Sequence, residues 1–137
     1  MAWRADRLEP VTPDEHLARC LTQSNHYHRG AEPCVTERAF LPGPDGTTSV
    51  FRVDGLTDIQ VWQWADQHVT GAPGGRRVVG TGTLLAQAVT DVGLQMEADD
   101  DPPRHAAIVA WPDEKSDRKS RAQALAAAAV LSLRPAL

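Results

Sequence analysis

The chain has 137 residues, 42% of them hydrophobic and 23% charged, with a net charge of −4. These are the values of one ordinary globular domain, large enough to bury about two thirds of the surface its unfolded chain exposes. They exclude a disulfide-built scaffold, since Cys20 and Cys34 are the only cysteines, and a protein basic throughout, so nucleic acid is not indicated as a partner.

No run approaches the roughly 20 apolar residues that cross a bilayer, so no membrane partner is expected. The charged start Met1–Arg7 has no apolar stretch behind it, so no secretory signal is expected either. The expected address is the cytoplasm, with both thiols reduced.

In chain order, residues 1–11 read as a loose arm and 12–137 as a single globular domain. Thr12-Pro13-Asp14-Glu15 has the form of a helix start, with Thr12 as cap, Pro13 at the first helical position and Glu15 closing a capping box. The pattern predicts a helix over 13–22 with Leu17, Cys20 and Leu21 on one face, then a loop over 24–35. Segments 36–41 and 47–53 flank the turn-rich Pro42–Gly46 and predict an antiparallel hairpin. Leu56, Ile59, Trp62 and Val69 fall at helical spacing behind Thr57, a suitable cap, and predict a helix over 57–69.

A strand over 76–83 follows, then 84–92, which fits a helix or a strand and is read as a short helix, then a strand over 94–97. After the acidic turn Ala98–Pro103 comes an apolar strand, His105–Trp111, closed by Pro112. Asp113 then caps an amphipathic helix over 114–132. Strands and helices mix without strict βαβ alternation. The expected class is α+β, a small antiparallel sheet with a β-hairpin, packed by about three helices including the C-terminal one.

Two sets of residues carry candidate chemistry. Cys20, His26, His28 and Cys34 have the spacing Cys-x5-His-x-His-x5-Cys and are donors that zinc accepts. Structural zinc sites bring their ligands in tighter pairs, so no metal and no cofactor is expected, and a zinc-binding domain stands as the third reading. Arg38, Arg52, Arg104 and His105 form a set suited to gripping phosphate or carboxylate, and His26 with His105 could share acid and base roles. If the hairpin pairs Arg38 with Arg52 and the His105 strand lies beside it, these groups line one polar concavity. The plainer reading is that the hairpin arginines pair with nearby carboxylates.

Lys115, Arg118, Lys119 and Arg121 put a basic stripe on the first turns of the last helix, where cations oppose the dipole. Asp113, Glu114 and Asp117 neutralise much of it, and a solvated face is the plainer reading. Trp62 and Trp64 lie two apart, so a helix cannot bury both on one face, and one of them is the candidate partner-facing aromatic. The glycines of 71–75 and 80–82 match neither a P-loop nor a dinucleotide fingerprint.

The segments Thr22–Tyr27, Arg38–Pro42, Ser49–Arg52 with Gly55-Leu56, and Pro102–Ala106 leading to Trp111-Pro112 and Lys115 together resemble a set of small bacterial proteins. The resemblance covers roughly residues 22 to 129, and Cys20 and Cys34 depart from it. It implies a dedicated small bacterial protein and carries no activity, fold or cofactor. The richness in Ala, Arg and Pro fits a high-GC bacterial genome. The leading functional expectation is a non-catalytic accessory or interaction module that recognises an anionic ligand. The alternative is a small hydrolase or transferase acting on a phosphate-bearing substrate.

Overall fold

A computed structural model describes residues 9–135, so residues 1–8 of the expected arm lie outside the described residues. Thr12–Glu15 makes the hydrogen bonds of a helix start: Glu15 N–H donates to the Thr12 carbonyl at 3.1 Å, and Thr12 N–H to Glu15 Oε2 at 3.1 Å. No helix follows. The segment expected as a helix over 13–22 is instead a strand, β1 (His16–Leu21). Leu17 and Leu21 are buried on one side and Ala18 and Cys20 on the other. A strand covered on both faces shows no alternation for a period-2 reading to find.

β1 is central in a six-stranded antiparallel sheet. Its other members are β4 (Thr48–Arg52), β5 (Gly80–Leu85), β6 (Gln95–Ala98), β7 (His105–Val109) and β8 (Val130–Leu133), in the order β6-β7-β4-β1-β5-β8. A separate two-stranded sheet pairs β2 (Tyr27–His28) with β3 (Cys34–Val35). Helices α2 (Ala86–Asp91) and α3 (Lys115–Ala128) cover one face of the large sheet. There Leu17, Leu21, Val50, Leu84 and Ile108 meet Val89, Ala122 and Leu125 in the larger core. Helix α1 (Asp58–Ala65), continued by a π turn over Asp66–Thr70, covers the other face. A smaller core of Ala18, Cys20, Phe51, Trp64, Ala65 and Val78 forms beneath it. The architecture is α+β, as expected.

The hairpin of 36–41 with 47–53 is not formed. Glu37–Ala39 makes a 3-10 turn, and Ala39 and Phe40 are both fully buried, which alternation along a half-buried strand does not allow. The turn chemistry at Pro42–Thr47 holds: Gly43 N–H donates to the Thr47 carbonyl at 2.9 Å and Asp45 accepts from Thr47. The strand it feeds, β4, pairs with β1 and β7 instead. Thr57 caps α1 in a capping box with Gln60, as its sequence predicts, yet the buried face is displaced. Trp64 and Ala65 face the core, while Ile59 is 70% exposed.

The last helix stops at Ala128 rather than 132, because Val130–Leu133 turns extended and pairs with β5. Gly82 of β5 permits the packing of β3 there, since a Cβ would lie 3.0 Å from Val35 Cγ2. Arg134 then ties this end of the chain to α1's continuation by a bidentate pair with Asp66 at 2.6 and 2.5 Å.

Arg52, an expected ligand-binding residue, is 7% exposed. Its guanidinium grips Glu15 bidentately and donates to the Glu9 carbonyl at 2.7 Å, fastening the N-terminal segment to the sheet. Removing one partner of a buried pair strands the other charge, whereas replacing both with apolar groups does not. Glu15→Ala is therefore expected to lower stability by about 3 kcal/mol, and the double change Glu15→Leu with Arg52→Met to recover most of it. Urea unfolding at neutral pH measures both.

Candidate functional site

Strands β1 and β4 pair only at Leu17–Arg52 and Ala18–Phe51, and beyond these positions they part. Arg19 spans the opening, donating through Nε to the Ala39 carbonyl at 2.7 Å and through Nη1 to the Ser49 carbonyl at 3.1 Å. These contacts satisfy a backbone oxygen of β4 that the missing ladder would otherwise serve. Over the gap lies a cleft of about 430 Å³. Its walls come from Ala18–Cys20, Thr22, Gln23, Ser49–Phe51, Trp64, His68, Val69, Gly74, Arg76, Pro102 and His105.

The charged and titratable lining is one-sided: Arg19, Arg76, His68 and His105, with no carboxylate among the lining residues. Cys20 is also there, but burial pushes its thiol up to about 12 against the opposing pull of Arg19, so it is an inert wall group rather than a nucleophile. Phe51 and Trp64 stack at 4.0 Å with rings 4° from parallel, a rigid apolar floor. Burial holds His68, tilted 5.0 Å from Trp64, below the usual histidine range.

His105 is the best-positioned group. Its Nδ1 lies 2.7 Å from Asp99 Oδ1. The carboxylate accepts, so the proton sits on Nδ1 and Nε2 is left for the cleft. The turn carrying both residues is heavily braced. Asp100 and Arg104 adopt left-handed φ values of 52° and 72°, which non-glycine residues rarely hold unless their surroundings impose them. Arg104 N–H donates to Asp100 Oδ1 at 2.6 Å, Arg104 Nη1 to the carbonyls of Arg52 and Asp54 at 3.0 and 3.1 Å, and Trp64 Nε1 to the Pro103 carbonyl at 2.7 Å.

The expected convergence of Arg38, Arg52 and His105 is not found. Phe51, not Arg52, stands opposite His105, and alternation sends Arg52 to the other face of the sheet. Arg52 and Arg104 line a different cavity with Glu9, Asp14, Glu15, Asp54 and Asp100, a carboxylate-rich surrounding that repels anions. Arg38, in the 3-10 turn, lines a third cavity beside α3.

The cysteine–histidine set does not assemble either. Cys20 lies in the core under α1, Cys34 is exposed opposite His28 in the small sheet, and His26 is a buried structural acceptor. Among the described residues no three His, Cys, Asp or Glu come together as a metal site. Of Trp62 and Trp64, Trp64 is buried, while Trp62 is half-buried beneath Arg134 at 5.6 Å.

Arg19, His68, Arg76 and Asp99 were not among the residues singled out for the site. Arg19 lay in a segment with helix-start chemistry and Arg76 beside a glycine-rich loop, neither of which signals a site. The Asp99–His105 pair did have a trace, an acidic run six residues before a histidine that opens a strand.

His26 accepts from Thr22 N–H through Nδ1 at 3.2 Å, and burial, then Arg19 and Arg76, bring it down to about 4. The unfolded chain takes up this proton near pH 6.5 and the folded one only near 4, so His26's contribution to stability falls as pH drops across that window and levels below it. The loss is expected to be on the order of 2 kcal/mol, allowing for solvent screening. Asn can keep the acceptor without the titration, so His26→Asn should flatten this part of the profile in urea unfolding at about pH 7 and about pH 4.5.

No protein-family model matches the chain, and neither does a curated protein or a solved structure.

Proposed function

We propose that the protein is a non-catalytic accessory module of the bacterial cytoplasm that recognises a small anionic ligand, a carboxylate or a phosphate, in the cleft between β1 and β4. The observation that carries this reading is the lining: two arginines and two histidines around about 430 Å³ with no carboxylate, in a chain whose net charge is −4. The volume is in the range of small-molecule pockets, and the mixture of an apolar floor with few polar groups is typical of them.

Arg76 makes no side-chain hydrogen bond or ion pair among the described residues, so its planar fork is available to an anion. Three of the segments on which the sequence resemblance rests also contribute to the cleft, through Thr22 and Gln23, Ser49 to Phe51, and Pro102 with His105. Trp62 on the adjoining helix offers a half-buried aromatic to a protein partner.

A second reading, a hydrolase for a phosphate-bearing substrate, is favoured by one observation, the Asp99–His105 pair. A carboxylate behind Nδ1 orients Nε2 as a base toward the cleft, with Arg76 placed to hold the substrate anion. His26, bonded and held neutral, no longer shares that chemistry.

Titration with inorganic phosphate and with benzoate, followed by the histidine ring resonances, tests the binding reading. His105 is expected to shift saturably, and Arg76→Ala to weaken binding about tenfold or more, the loss of one charge-assisted hydrogen bond. No movement of His105 with either probe would discard the cleft as an anion site. Hydrolysis of p-nitrophenyl phosphate that disappears in His105→Ala would favour the enzyme.

A further inference from the structure

Beside α3, on the opposite face of the sheet from the cleft, lies a second concavity of about 390 Å³. Arg38 from the 3-10 turn faces Lys115, Arg118 and Lys119 from the first turns of α3, over a floor of Leu41 and Pro42. Glu37 is the single carboxylate in its lining. Asp113, Glu114 and Asp117, close to these lysines in sequence, do not line it.

Four arginines of the fold are committed internally. Arg52 is matched to Glu15, Arg134 to Asp66, and Arg19 and Arg104 to backbone carbonyls. The side chains of Arg38, Lys115 and Lys119 make no hydrogen bond or ion pair among the described residues. Arg118 is held in place through Nε, which donates to the Pro112 carbonyl at 2.5 Å, leaving the outer nitrogens of its fork uncommitted. Cations gathered from two elements repel one another, and those on the opening turns of α3 also oppose the helix dipole. Within the lining only Glu37 opposes these four cations, so the concavity keeps an excess of positive charge.

We infer that this concavity is a second anion site, for the phosphoryl group of a small molecule such as a phosphate monoester or a diphosphate. Four cations around one cavity match a group carrying close to two negative charges and three acceptor oxygens better than a singly charged carboxylate. Lysines serve as point charges and the two arginines as planar forks, a usual division at phosphate. The enclosed volume suits a small molecule better than an extended acidic chain.

The test is a backbone NMR titration of the full chain at low salt with inorganic phosphate, pyrophosphate, acetate and a short poly-glutamate peptide. Pyrophosphate should bind more tightly than phosphate, with saturable shifts centred on 37–41 and 115–119. The double variant Arg38→Ser with Lys119→Ser, at exposed positions whose loss leaves the spectrum folded, should weaken pyrophosphate at least tenfold. Arg76→Ala should leave this binding unchanged, so failure here and failure at the cleft are read separately. Shifts that do not saturate, are unaltered in the double variant, or are matched by acetate or the peptide would overturn the assignment.

Discussion

β1 is buried on both faces, and the rest of the molecule is arranged around that. Leu17 and Leu21 anchor the core under α2 and α3, while Ala18 and Cys20 anchor the core under α1. The strand can sit there only if its backbone is satisfied on both edges. β5 provides six paired positions on one side, and β4 provides two on the other before Arg19 takes over. The small side chains of Ala18 and Cys20 leave room on the α1 face for the Phe51–Trp64 stack and for the cleft beside it.

The cleft is therefore a consequence of how the sheet closes. Where the ladder between β1 and β4 ends, the Arg19 guanidinium replaces it, and the cleft opens over that gap. Burial first, and then Arg19 and Arg76, lowers His26 beside this space. The braced turn at Asp99–His105 then fixes an imidazole at the rim, through contacts to β4, to α1 and within the turn.

Arginine has two roles in this fold, divided by whether its donors are used. Arg52 is a rivet: buried, bidentate to Glu15 and joined to carbonyls of the N-terminal segment. Its surroundings are acidic, so the charge is consumed internally. Arg38 and Arg76 stand at the edges of concavities with no side-chain partner among the described residues, and their donors remain uncommitted there. The same residue type thus stabilises the fold in one place and keeps its donors uncommitted in another, a difference set by the carboxylates that the fold brings near.

The sequence by itself determined the α+β class, the Thr57 cap and α1, the strand opened by His105, the turn at Pro42–Thr47 and most of the last helix. These rest on local chemistry: capping geometry, turn residues and one-sided periodicity act within a few residues. Tertiary structure decided that 16–21 is a strand despite a well-formed helix start, that Phe40 leaves the hairpin for the core, and that the chain after Ala128 becomes an edge strand. It also decided the site. His105 was visible as a polar group heading an apolar strand, but its partners were not, because Arg19 and Arg76 come from distant segments. Arg52 and His105 were separated by the pleat, since one step along β4 moves a side chain to the opposite face. Periodicity shows that a face exists. Which elements cover it, and which charges meet there, depends on pairings between residues far apart in the chain.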